Sequence, residues 1–349
     1  MKILCCYDSS GPKYHRCLLP AHGLEQLGYE VKVVQKVTEQ DCTDIDIILF
    51  NRLIPGADLK DVIEWREKYG FKLVCDLDDD WILGPDHILY QTYKQYGISQ
   101  KIHDHVVLSD MVTVTHERLY ERVKPFNENC HIFPNAIPKI AQFLTEKVPS
   151  ELTRLFWAGG ITHKKDLELL RRPLQLIKRD KCKLVICGYE EGNPEWKEMA
   201  KIYTTDSAYN TIVFKSLKVH EYYKTYAHCD ISLIPLVEND FNRNKSNLKI
   251  LEAANIGSPV IVSRVHPYLD FPENIVNYVD SHRPWYFQIN KLLKDPEMIR
   301  GQGYALQAYC DKHYNFEKIS EERKQLFDQY GKQQTITGIN ETAQVHSGV

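Results

Sequence analysis

Ile234-Pro235-Leu236-Val237-Glu238-Asn239-Asp240-Phe241-Asn242-Arg243-Asn244-Lys245-Ser246-Asn247-Leu248-Lys249-Ile250-Leu251-Glu252-Ala253-Ala254-Asn255-Ile256-Gly257-Ser258-Pro259-Val260-Ile261-Val262-Ser263 is the stretch that decides the architecture. An apolar run over 231–234 ends at Pro235 and reads as a buried strand. A polar loop follows, a helix opens near Ser246 and Asn247, and Gly257 stops it. Pro-Val-Ile-Val then starts the next strand at once. Strand, loop, helix, strand is the unit of a parallel sheet flanked by helices. The N-terminus of such a helix offers free amides and a positive dipole end, which suits a phosphate. Lys245 and Lys249 add two cations, and Glu252 lies further along, within reach of a sugar diol. The same letters also describe an ordinary helix with two solvated lysines and a glycine stop.

The pattern extends over nearly the whole chain. The first half predicts strands at 3–7, 31–34, 45–50, 71–75, 111–115 and 130–133. Helices fall at 17–27, 59–69, 87–108 and 116–124. The second half predicts strands at 155–158, 184–187, 212–214, 231–234, 260–262 and 276–279, again alternating with helices. The expectation is an α/β protein of two Rossmann-like domains, 1–135 and 153–330, facing a central cleft. Residues 136–152 link them. The final helices, 296–313 and 316–330, have no strand after them and are expected to pack back on the first domain. The tail, 331–349, reads as disordered. Ligands in such sheets bind beyond the carboxyl ends of the strands. That directs attention to the loops at Ser10-Gly11-Pro12, Asp76–Asp80 and Gly159–Lys165.

Composition narrows the function classes. The 349 residues suit two domains, and 44 basic against 47 acidic side chains give a net charge of -3. Polyanion binding would therefore need a local patch. Ten cysteines without a Cys-x-x-Cys pair argue against a disulfide framework and fit a reducing, cytoplasmic setting. No apolar run approaches the length of a membrane span.

The segment 244–260 resembles the donor-binding signature of retaining family 4 glycosyltransferases, of the glycosyl transferases group 1 superfamily, which have the GT-B fold. Glu252, Ala253, Gly257, Pro259 and Val260 match that pattern, while Asn244 stands where the family has its first Glu. Ser10-Gly11-Pro12 with Tyr14 and Arg16 resembles the opening loop of these enzymes. Phe133-Pro134-Asn135-Ala136-Ile137 resembles their interdomain crossing. Gly159-Gly160 to Lys165 resembles the loop gripping the donor diphosphate, with Lys165 at the usual Lys and Gly160 at the usual Arg.

The resemblance implies transfer of a sugar from a nucleoside diphosphate donor, such as a UDP- or GDP-sugar, to an acceptor hydroxyl, with retention and no separate cofactor. Gly160, His163, Lys165, Lys245, Ser246, Asn247, Lys249 and Glu252 would hold the donor. Gly11, Asp78 and Asp79 would serve catalysis, and Ser10, Arg16 and Asp80 the acceptor side. The acidic run can alternatively be read as a metal site or as helix caps; the reading adopted is cleft-facing polar contacts and no metal. A bacterial surface glycan is the expected acceptor, free or lipid-linked. Alternatives are a hydroxylated base in phage DNA, 2-epimerisation of a nucleotide sugar, or non-catalytic binding of one. Tyr90, Tyr93, Lys94, Tyr96, Lys101 and His105 share one predicted helix. They would form either a sheet-packing face or a surface for acceptor or peripheral membrane contact.

Overall fold

A computed structural model describes residues 1–140, 143, 145–178, 180–204 and 210–329. It contains two six-stranded sheets. The first comprises β1 (Lys2–Cys6), β2 (Glu30–Val34), β3 (Ile47–Asn51), β4 (Lys72–Leu77), β5 (Met111–Val114) and β6 (Cys130–Ile132), in the order β2-β1-β3-β4-β5-β6. The second comprises β7 (Thr153–Ala158), β8 (Cys182–Tyr189), β9 (Thr211–Lys215), β10 (Ile231–Ile234), β11 (Val260–Ser263) and β12 (Asn277–Val279), in the order β12-β11-β10-β7-β8-β9. Every pairing is parallel. β3 and β5 are buried along their whole length, as strands covered on both faces must be, and so they read as continuous apolar runs. β2, at an edge, has no buried residue.

Strand order reverses between β1 and β3 in the first sheet and between β7 and β10 in the second. Adjacent loops diverge at these points and open a crevice at the carboxyl ends. The loops concerned are those after β1, β7 and β10, which carry Gly11, Gly159-Gly160 and the 235–247 segment.

The helix over 316–329 returns to the first domain. Phe327 is buried among Ile3, Leu24, Leu49 and Met111, and the Tyr29 hydroxyl donates to Asp328 at 2.6 Å. A Cβ on Gly23 would lie 2.3 Å from Ser320 Oγ, so only glycine lets the helix sit this close. The tail, 331–349, lies outside the described residues.

Three local predictions need correction. The helix expected over 87–108 is broken at Gly97, whose φ of +59° ends one helix, Tyr90–Tyr96, before the next, Ile98–Leu108, begins. Only Ile102, His105 and Val106 of these two are buried, so the sheet-packing face belongs to the second. The helix expected between the strands at 212–214 and 231–234 is a 3₁₀ run, Tyr222–His228. The helix expected from 17 starts at Gly11 and passes through a π-turn, Tyr14–Leu18, which buries Tyr14, His15, Arg16 and Cys17. All ten cysteines are free and buried. Among the described residues no helix is long and apolar enough to cross a membrane.

Candidate active site

A cavity of about 550 Å³ opens between the carboxyl ends of the two sheets. Its first-domain wall includes Ser9, Gly11, His15, Arg16 and Asp78; its second-domain wall includes Gly159, Gly160, Gly188, Ser246, Lys249 and Glu252. The glycines keep the backbone close. A Cβ on Gly159 would come within 3.1 Å of Lys249 Nζ, and one on Gly188 within 2.3 Å of the Gly159 carbonyl oxygen. Gly188 also holds φ +105°, which side-chain-bearing residues rarely adopt. Ser9 and Arg52, with φ of 67° and 63°, are likewise in the left-handed region.

The helix Leu248–Asn255 points its N-terminus at this cavity. Its cap residue, Asn247, makes no side-chain capping bond, and its side chain instead donates to the Tyr314 hydroxyl at 3.0 Å. The structure thus does not bring Asn247 to the cavity: a neighbouring chain segment holds it. Lys249 Nζ lies 5.5 Å from the Trp157 ring centroid, and burial, aided by Lys245, lowers its pKa to about 8. An anion here would raise that value again. Burial also lowers the pKa of Lys245, but its ammonium faces the first domain, 3.6 Å from Asp79 Oδ2 and 4.6 Å from the Phe241 ring centroid.

Glu252 sits on the cavity floor. Its Oε2 accepts from the Tyr226 hydroxyl at 2.7 Å, and burial raises its pKa well above the usual carboxylate range. Its surroundings thus favour the neutral acid, a departure from the ionised side chain that a surface helix position implies.

Two other expected donor contacts are redirected. His163 Nδ1 donates to Asp166 Oδ2 at 2.7 Å, and burial lowers the pKa of the imidazole to about 4. Asp166 Oδ1 accepts from the Val237 amide at 2.8 Å. The pair clips the loop after β7 to the loop after β10 and leaves His163 off the cavity wall. Lys165 turns to the first domain, donating to the Asp86 carbonyl at 2.8 Å and lying 3.3 Å from its carboxylate. It borders a second cavity of about 720 Å³, shared with Asp80, Phe241 and Lys245.

The acidic run is not one cluster. Asp76 is part of β4, fully buried, and takes Arg16 through two bonds of 2.8 and 2.9 Å. Arg16 also donates to Asn135 at 3.1 Å. This guanidinium, expected on the acceptor side, is thus committed to the core and only borders the cavity. Asp78 faces the cavity, within 3.4 Å of Arg52 and 3.3 Å of Asn51. Asp79 pairs with Arg52 and faces Lys245 across the cleft. Asp80 is buried, caps the Ile82 amide at 3.0 Å and pairs with Arg122 at 2.7 Å. Arg16 holds Asp76, Arg122 holds Asp80, and Arg52 serves both Asp78 and Asp79. Among the described residues no group of three or more His, Cys, Asp and Glu side chains is arranged to hold a metal ion.

Asn244 donates to Asp80 Oδ2 at 3.1 Å. A glutamate there would set two carboxylates against each other, so the change from the family pattern follows from the first domain's acidic loop. Ser10, on the loop after β1, donates its amide to Asp8 at 3.2 Å. Sequence reasoning missed His15, Gly188, and Lys215 at the end of β9 with the loop Ser216–Val219 after it, all on the cavity wall. Gly188 directly after an apolar run was a usable signal. His15, one of fourteen histidines, had none.

The family model for glycosyl transferases group 1 matches residues 153–295. No curated protein matches the chain in sequence. Among solved structures, sucrose-phosphate synthase from Thermosynechococcus elongatus superposes with a TM-score of 0.68 at 14% identity, covering 95% of this chain and 98% of that one. Anabaena HepE in complex with UDP-glucose gives 0.68 at 12% identity, with 94% and 99% covered. An alpha-glucosyltransferase in complex with UDP-glucose and DNA gives 0.65 at 11% identity, with 93% and 98% covered. Residues 153–295 thus match the glycosyl transferases group 1 family, and the whole chain has the GT-B fold of these structures.

Proposed function

We propose that this enzyme moves a sugar from a nucleoside diphosphate donor to a hydroxyl of a bacterial surface glycan, with retention at the anomeric carbon. The observation carrying this is one cavity in which glycine backbone, an uncapped helix N-terminus, Lys249 and Glu252 converge. A diphosphate beside Gly159, Gly160 and Lys249 would be stabilised as its charge grows on departure. Glu252, further along the helix, suits the ribose diol. Asp78 and Asp79, on the opposite wall, suit hydroxyls of the transferred sugar or the acceptor. The same carboxylates oppose the phosphates of DNA, which favours a polyol acceptor. HepE and the alpha-glucosyltransferase were solved with UDP-glucose, which makes UDP-sugars the first donors to try. No side chain is cast as a covalent nucleophile; the leaving phosphate takes the acceptor proton.

A panel of radiolabelled UDP- and GDP-sugars, with and without glycan acceptors, tests this. Label passing to acceptor is the expected result. Donor isomerised without acceptor points to an epimerase, and donor bound but unchanged to a binding protein; either contradicts the proposal.

Two further results are expected. Transfer persists in EDTA, because cationic side chains and the helix dipole supply the charge compensation; loss in EDTA and rescue by Mn²⁺ would contradict this. Nucleoside diphosphate affinity, followed from pH 7 to 10, falls above about pH 8. The empty site holds Lys249 at about 8, and a bound dianion raises that value, so binding takes up a proton only above the empty-site pKa. Lys249→Met flattens the profile; an unchanged slope in that variant would assign the proton elsewhere.

A further inference from the structure

His15 and Glu252 meet across the domain boundary, the first on the π-turn Tyr14–Leu18 and the second on the helix Leu248–Asn255. Each side chain is 4% exposed, and His15 Nε2 lies 4.0 Å from Glu252 Oε1. That separation is too long for a hydrogen bond. Among the described residues neither ring nitrogen of His15 has a hydrogen-bond partner, and none is found for Glu252 Oε1. Buried polar atoms seldom lack partners, and where they do a missing molecule is a leading reason. Both side chains line the cavity. The imidazole is held by rings instead of hydrogen bonds: Tyr14 at 5.2 Å edge-on and Phe143 at 6.5 Å between centroids. It is therefore fixed in place with its nitrogens unspent.

A third atom fits the gap. A hydroxyl oxygen about 2.8 Å from each of two atoms 4.0 Å apart makes an angle of roughly 90° between them, open enough for one bond to each. Burial keeps His15 neutral, at about 4, so it offers one N–H and one lone pair. Burial also favours the protonated form of Glu252. One hydroxyl can thus accept from the acid and donate to the imidazole. We propose that His15 reads a donor ribose hydroxyl from the first domain, sharing it with Glu252 of the second, so that nucleoside binding ties the two domains together. The proposal rests on the donor reading above and adds a specificity residue to it.

The test is calorimetric titration of UDP and GDP, then of the 2′,3′-dideoxy form of whichever binds, against wild type, His15→Phe and His15→Gln. Phenylalanine keeps the ring contacts and removes both nitrogens; glutamine returns one polar group. The expected result is about 10-fold weaker binding of the ribonucleotide to His15→Phe, an equal loss of preference over the dideoxy form, and partial recovery in His15→Gln. Should the phenylalanine variant not fold, ¹⁵N-histidine spectra of wild type serve. A neutral imidazole resonance should move with the ribonucleotide and stay put with the dideoxy form. An unchanged ribo-to-dideoxy ratio in a folded variant, or unmoved wild-type resonances, overturns the proposal while leaving the donor reading intact. Wild type binding neither UDP nor GDP overturns both.

Discussion

Glu252→Ala is expected to weaken nucleoside diphosphate binding about 10- to 100-fold. A neutral carboxyl serving a ribose diol makes two hydrogen bonds of roughly 0.5–1.5 kcal/mol net each, and about 1.4 kcal/mol is one decade of affinity. The bonds persist from ground state to transition state, so KM should rise more than kcat falls. Stability should change little. The substitution removes a buried acid whose Oε1 has no partner among the described residues, but it also strips the Tyr226 hydroxyl of its acceptor. Glu252→Gln, which copies the neutral acid in shape, should fold like wild type. Calorimetry with ribo- and dideoxyribonucleotides checks the assignment: equal affinities in wild type and a folded Glu252→Ala would make Glu252 a packing residue only.

The largest stability loss is expected from Asp76→Ala. Asp76 is wholly buried and takes two bonds from Arg16 and one from Thr113 at 2.5 Å. Removing the carboxylate strands a buried guanidinium, at a cost of about 3–5 kcal/mol. A second arginine, Arg323 on the returning C-terminal helix, is also buried, and Arg16 together with burial lowers its pKa to about 10. Without Asp76 the two cations would have lost their nearest counter-charge. For a domain of this size the melting point should fall by on the order of 10 °C. The Arg16→Met, Asp76→Leu double variant should recover much of the loss, since an apolar pair removes both charges at once. Thermal melts of the single and double variants decide it. A single variant as stable as wild type would mean the pair contributes nothing.

Much of the fold could be read from the chain because parallel strands buried on both faces leave unbroken apolar runs, and because each is followed by a helix with its own period. Glu252 could be singled out through its place after a helix start and before Gly257 and Pro259, and the structure places it on the cavity wall. What could not be read was direction. Nothing in Gly159–Lys165 says that Lys165 turns to Asp86 while His163 bends back to Asp166. The acidic run gave four carboxylates in line; the cations that separate them, Arg16, Arg52 and Arg122, come from distant parts of the chain. The charge state of Glu252 depends on burial between two domains, which no local pattern records. His15 owes its position to a π-turn, a feature with no periodic signature.

Binding of a nucleoside diphosphate to the cavity between the sheets is the claim on which the rest depends. Titration of UDP and GDP into wild type and Lys249→Glu tests it most directly. One site per chain for at least one nucleotide, abolished when Lys249 becomes acidic beside Gly159, is the predicted result. No binding of either nucleotide to wild type, or binding that survives Lys249→Glu unchanged, would contradict it.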